Sequence, residues 1–269
     1  MAVRFAGSSR LVRRLAKGAG IALIAGTVGG AALLAAEAMA ARSRRYAKPD
    51  LGLAVRASLG VETAKPPLRI VLLGDSLALG VGVDIVEETV GGQLAQMLAG
   101  AGVAVTLSTV AVAGARSADL ATQVARSQLG SRPDVAVIVV GTNDATHLVR
   151  PGEAGAALAT AVRRLRDAGT AVVVGTCPDL GALRAIAPPL RQVVGWYGRR
   201  VARAQAGAAR AAGAAVVDLA SQVGPVFRAD AGMLCHDCFH PSADGYRVMA
   251  YAIFPELAAA ANVSSSVKD

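Results

Sequence analysis

Ser76, Asp237 and His240 offer a hydroxyl, a carboxylate and an imidazole in one chain. A serine hydroxyl is a weak nucleophile at neutral pH and needs a base to take its proton. His240 has Asp237 three residues before it and Pro241 after it. In a short turn that spacing can bring the carboxylate to the ring and fix its tautomer. Gly114 and Asn143 supply donors for a developing oxyanion. A bare glycine lets its own N–H approach a substrate, and an Asn amide can point at a reacting carbonyl oxygen. With the Ser76 N–H they would make a three-donor oxyanion hole, and the whole set could cleave an ester. Each residue also has a plainer reading. Ser76 could be a helix N-cap, Asn143 a turn residue, and Gly114 a position that needs only positive φ. Asp75 and Asp144 are expected to bond loop amides. The completeness of the set favours chemistry.

Other chemistry is harder to build. Of the remaining histidines, His147 follows Gly141-Thr142-Asn143-Asp144 and is expected to line a pocket or lie on the surface, and His236 is expected to be exposed. Cys235-His236-Asp237-Cys238 has ligand-like spacing, but a zinc site needs a second pair and the only other cysteine is the isolated Cys177. No metal is therefore expected. The pair is either a local disulfide, if the domain is exported, or two free thiols. Gly80-Val81-Gly82 begins a dinucleotide fingerprint that Ile85 breaks, and no Walker loop is present, so no cofactor is expected. Ala78 stands where a nucleophile elbow of the G-x-S-x-G type has its second glycine, which argues against the α/β-hydrolase fold. Arg199, Arg200, Arg203 and Arg210 lie at helical spacing and read as a solvated face. Aromatic residues make up only 3% of the chain, too few for a base-stacking surface, so no nucleic-acid partner is expected.

Short Val/Ile/Leu runs must carry these groups. They fall at Leu68–Leu73, Val103–Val110, Val135–Val140, Ala171–Gly175 and Ala214–Asp218, and read as strands buried on both faces. Helical stretches alternate with them near Glu87–Ala101, Ser117–Leu129, Gly152–Ala168 and Leu190–Ala212, and a last one runs near Ala243–Ala261. The alternation indicates βαβ units and a parallel sheet. Ser76 follows the first strand, Gly114 the second and Asn143 the third. Three site groups thus gather beyond the carboxyl ends of the strands, where open α/β sheets bind ligands.

Ile70-Val71-Leu72-Leu73-Gly74-Asp75-Ser76-Leu77, Gly114, Gly141-Thr142-Asn143-Asp144 and Asp237-Cys238-Phe239-His240-Pro241 occur in the order that the SGNH/GDSL hydrolase family shows. The chain resembles that family from roughly Leu68 to Ala261. The resemblance implies a three-layer α/β/α, flavodoxin-like sandwich around a parallel sheet of about five strands. It also implies hydrolysis of carboxylic esters or thioesters, with Ser76, Asp237 and His240 as the triad and Ser76, Gly114 and Asn143 as oxyanion donors. The departure is the cysteine pair around Asp237. The substrate would be a small acyl ester (an acyl lipid, an acylated glycan or a thioester), and Pro178–Pro189 is expected to shape its acyl pocket. The rivals are a non-catalytic binding protein for an acyl lipid or sugar, and a redox or metal module built on Cys235 and Cys238.

The net charge of +9 is not spread evenly. Residues 1–48 hold nine of the 28 basic residues and one of the 19 acids, Glu37, which leaves the remainder at +1. The basic residues flank an uncharged run of 19 residues, Gly18–Ala36. It reads either as a hydrophobic helix anchoring the protein in a membrane or as a signal segment cleaved after Ala38-Met39-Ala40. The expected organisation is an anchor or signal at 1–41, a linker at 42–67, the hydrolase domain at 68–261 and a polar tail at 262–269. The domain would then be exported, anchored or secreted, and would stand without residues 1–48. The sequence carries no signal for oligomeric state.

Overall fold

A computed structural model describes residues 29–44, 46–48, 57–59 and 66–262. Most of the uncharged N-terminal run and the tail from 263 lie outside the described residues. The chain divides into two compact units. In the first, which runs to Arg44 and includes Ile186–Leu190, residues 29–43 form helix α1. There Glu37 Oε2 accepts a hydrogen bond from the Leu190 N–H at 2.9 Å. Among the described residues no helix is long and apolar enough to cross a membrane.

The second unit carries the sheet. Its strands are β1 (Ala57–Leu59), β2 (Leu68–Gly74), β3 (Val105–Thr109), β4 (Val135–Val139), β5 (Ala171–Gly175) and β6 (Ala215–Val217). The helices are α2 (Ser76–Leu79), α3 (Val90–Gly100), α4 (Leu120–Ser127), α5 (Thr142–Thr146), α6 (Pro151–Asp167), α7 (Leu190–Ala211), α8 (Leu219–Gln222), α9 (Gly224–Ala229) and α10 (Ala243–Ala260). The five strands read from the Val/Ile/Leu runs are all present, all parallel, in the order β3-β2-β4-β5-β6. The sequence reading lacked β1, which adds antiparallel to β3 from within the expected linker. Two expected helix starts also move inward. Residues Val86–Glu88 and Ser117–Asp119 form 3₁₀ turns instead of the first turns of α3 and α4. At the first of these, Thr89 Oγ1 accepts from Gly92 N at 3.0 Å and caps α3.

Side-chain alternation divides the strands between two helical layers. Val71, Leu73, Ala136, Ile138, Val172 and Val174 face α4, α6 and α7, where Leu120, Val124, Leu158, Val162, Leu165 and Ala209 complete the packing. Leu72 faces the other way, under α3, which comes so close at Gly91 that an added Cβ would lie 3.1 Å from the leucine side chain. Helix α10 covers the same face beside α3. Each buried Val, Leu or Ile contributes about 1.5–3 kcal/mol, and β4 is buried along its whole length. The centre of the sheet is therefore the rigid base for what lies at its rim. Strand β2 has β3 on one side and β4 on the other, so the chain reverses its direction of travel across the sheet there. A crevice opens beyond the strand ends at such a point, and Ser76 stands at it.

Candidate active site

Strand β2 ends on Gly74, at φ 134°, where a Cβ would overlap the Val139 carbonyl oxygen of β4. Only glycine lets the two strand ends come this close. Gln123, buried on α4, grips the same residue from both sides. Its Oε1 accepts from Gly74 N at 2.7 Å and its Nε2 donates to Gly74 O at 2.8 Å. Asp75 follows and is fully buried. Its Oδ1 accepts from Leu77 N at 3.0 Å, so Asp75, rather than Ser76, caps α2. Ser76 is the first helical residue, and its hydroxyl is left for His240, whose Nε2 lies 3.1 Å from Oγ.

A tight turn presents the imidazole. Cys235 N donates to His240 O at 2.8 Å and Cys238 N to Cys235 O at 2.9 Å, and a bridge between Leu234 and Pro241 closes the base. Inside the turn Asp237 Oδ1 accepts the Phe239 and His240 N–H groups, each at 2.8 Å. Its Oδ2 lies 2.7 Å from His240 Nδ1 and takes the N–H of Ala47 at 2.9 Å. Burial pushes the Asp237 carboxyl up, but the bonds from His240, from Ala47 and from the turn amides outweigh it and hold it far below the usual carboxylate range. Asp237 thus stays ionised against Nδ1, and Nε2 faces Ser76.

Cys235 and Cys238 are free thiols. Cys235 Sγ donates to Asp237 Oδ1 at 3.2 Å, and burial, with the neighbouring carboxylate, pushes this thiol up to about 11. Among the described residues no group of three or more His, Cys, Asp or Glu side chains is placed to hold a metal ion.

Two loops bring further donors to the rim. Gly114 sits at φ 84° with open space where a Cβ would be. Its loop is tied to β2 by Val112 N donating to Gly74 O at 3.1 Å. Asn143, in the first turn of α5, donates through Nδ2 to Ala115 O at 3.1 Å, and the second amide proton remains for a ligand. The Ser76 N–H belongs to the first turn of α2, where helix amides lack internal acceptors. Asp144 ties the loops together beneath, accepting from Ser117 N at 3.0 Å and from Ser117 Oγ at 3.0 Å. Gln205 of α7 extends the network. Its Nε2 donates to Ser117 Oγ and to Val140 O, both at 3.2 Å, and its Oε1 accepts from Cys177 N at 2.9 Å.

All five residues expected at the site thus lie at one end of the sheet or in the loops tied to it. His147 does not join them. It is exposed, with Nδ1 2.9 Å from the Asn143 carbonyl oxygen of its own helix. His236 is exposed as well. Arg199 is exposed, as expected of a solvated face, and it and Arg228 both pair with the buried Asp179, at 3.5 and 2.5 Å. Sequence reasoning did not find Gln123, Gln205, Ser117 or Ala47. Gln123 and Gln205 did leave a signal, because each is a polar residue on the apolar side of its helix.

A small apolar pocket of about 30 Å³ lies among the neighbours of the site residues. Leu77 and Thr142 wall it next to Ser76 and Asn143, Phe239 and Pro241 flank His240, and Leu180 and Leu183 close it. The last two belong to the Pro178–Pro189 segment.

A family model for GDSL-like lipases and acylhydrolases matches residues 72–248. The GDSL-like esterase Rv1075c of Mycobacterium tuberculosis is 44% identical over 190 residues, which cover 70% of this chain and 60% of that protein. The match therefore spans about 60% of the length of this curated relative. Among solved structures, TesA superposes with a TM-score of 0.58 at 21% identity, covering 71% of this chain and 99% of its own. A variant of an acetyl xylan esterase from Geobacillus stearothermophilus superposes with a TM-score of 0.52 at 19% identity, covering 70% and 94%. At these identities the two likenesses are likenesses of fold.

Proposed function

We propose, from the premise that the chain belongs to the GDSL-like lipase/acylhydrolase family, that it is a serine hydrolase of carboxylic esters. The observation that carries this reading is the run of contacts from Ser76 Oγ to His240 Nε2, 3.1 Å, and from His240 Nδ1 to Asp237 Oδ2, 2.7 Å. Ser76 Oγ attacks the acyl carbonyl as His240 Nε2 takes its proton. The carbonyl oxygen gains charge and is met by the Ser76 and Gly114 N–H groups and the Asn143 amide. These donors are already held in place, so no reorganisation is needed as charge develops. His240 then gives the proton to the leaving oxygen, deprotonates a water for attack on the acyl-enzyme, and returns the proton to Ser76. Asp237 keeps the ring oriented through both halves of the cycle.

Apolar side chains beside the site, Leu77 and Phe239 among them, would meet the acyl group, and rates on p-nitrophenyl esters of increasing chain length measure how long a chain they take. Ser76→Ala, folded as judged by circular dichroism, should lose on the order of 10³-fold or more in kcat, and a fluorophosphonate should label wild type at Ser76 alone. Full activity in the folded variant would remove the reading. The basic flanks and the uncharged Gly18–Ala36 run support an anchored or exported enzyme. N-terminal sequencing of the mature protein separates an anchor from a cleaved signal.

A further inference from the structure

The turn that carries Asp237 and His240 supplies most of the bonds to the Asp237 carboxylate itself. The Phe239 and His240 amides and the Cys235 thiol all reach Oδ1. Oδ2, the oxygen that meets the imidazole, accepts one further bond, and its donor is 190 residues away in sequence. That donor is the N–H of Ala47, at 2.9 Å. Next to it the Tyr46 ring stands edge-on to Phe239, with centroids 5.0 Å apart, and to His240, with centroids 6.5 Å apart. These residues belong to the same compact unit as the turn, yet they lie upstream of the stretch matched by the family model, 72–248.

We infer that Tyr46 and Ala47 are positioning residues for the proposed hydrolase, a strap laid across the outer side of the Asp237–His240 pair. The inference rests on the triad reading above. A carboxylate oxygen that meets only the imidazole can rotate about its Cβ–Cγ bond and trade oxygens. With two amides on Oδ1 and one on Oδ2, that rotation breaks charge-assisted bonds, each stronger than a neutral one. Ala47 therefore keeps Oδ2 in the plane where it holds the Nδ1 proton, and Nε2 stays aimed at Ser76. Tyr46 supplies the apolar contact that keeps Ala47 there and covers the ring edges of Phe239 and His240. A displacement of about 1 Å at a reacting group can cost about 10²-fold in rate, so a strap that touches no substrate still bears on kcat.

The test uses the full chain and short p-nitrophenyl esters. Ala47→Pro removes the donor, whereas Ala47→Gly keeps it. The Pro variant should lose about tenfold in kcat, the scale of one hydrogen bond to a charged group, with KM changed less than twofold, and the Gly variant should stay near wild type. Tyr46→Ala should lower kcat in the same manner. It provides a second route to the same conclusion if proline at 47 perturbs folding. Each substitution is repeated in an Asp237→Ala background, read by the rate of fluorophosphonate labelling of Ser76. If the strap acts through Asp237, its effect disappears there. An unchanged kcat in Ala47→Pro and Tyr46→Ala, or an equal loss in both backgrounds, would overturn the strap. If Asp237→Ala alone leaves kcat intact, it is the triad reading that fails, and the strap falls with it.

Discussion

Asp75 and Asp237 each precede a member of the hydroxyl–imidazole pair, and they carry charge in opposite ways. Asp237 has donors on both oxygens and is held ionised. Asp75 accepts from the Leu77 amide through Oδ1, and the Gly141 and Thr142 amides also face its buried carboxyl. Burial, helped by the nearby Asp144, pushes its carboxyl up to about 7, against the pull of the Leu77, Gly141 and Thr142 amides. The sign for stability follows. Between about pH 4 and 7 folded Asp75 keeps a proton that the unfolded chain has released, so this group's contribution falls as pH rises through that window. The span from an ordinary aspartate at 3.8 to about 7 is worth roughly 4 kcal/mol at most. Asp75→Asn keeps the acceptor for Leu77 and removes the titration. Relative to wild type, the variant should gain roughly 2–4 kcal/mol between pH 4 and pH 8, measured by urea unfolding at both values. Identical pH dependence in the two proteins would mean that Asp75 is charged in the fold throughout.

At the scale of elements, the loops that carry Gly114 and Asn143 are tied to helix α7. Gln205 on α7 joins Ser117, Val140 and Cys177, and through Ser117 it supports Asp144 next to Asn143. Gln205→Ala would leave a buried amide and a carbonyl unpaired and open a void. It should cost about 2–4 kcal/mol of stability and lower kcat more than it raises KM, as measured by thermal unfolding and ester kinetics. The split matters because a loosened Asn143 weakens a contact made chiefly in the transition state. No side-chain pattern in the sequence names these partners. The parallel strands are legible because Val71–Leu73 or Val135–Val139 can satisfy their burial only between two layers. Ser76, Gly114 and Asn143 are legible because each directly follows such a run. Gln205 is legible only as a polar residue on the apolar side of its helix; its partners exist only once β4, β5 and α7 have met. Strand β1 is also hidden, since Ala57-Ser58-Leu59 is too short to show a period. Ala47 is hidden more completely still, because a backbone N–H leaves no mark in a sequence.

For the molecule as a whole, the strap inferred above would put the functional boundary upstream of Tyr46, whereas the sequence places the domain's start at Leu68. A chain beginning at Arg45 loses α1, whose Glu37 accepts from the Leu190 amide, and should keep the kcat of the full protein. A chain beginning at Leu68 also loses the strap and β1, and should turn over at least about tenfold more slowly. Equal rates from the two would mean that residues 46–59 are dispensable for the reaction. The distances along the chain carry a separate consequence. Ser76 meets its base across 164 residues and Ala47 meets its acceptor across 190. On the proposed mechanism, a nascent polypeptide presents Ser76, Gly114 and Asn143 well before Asp237 and His240 have been made, and it cannot hydrolyse an ester until that last stretch is synthesised and folded back.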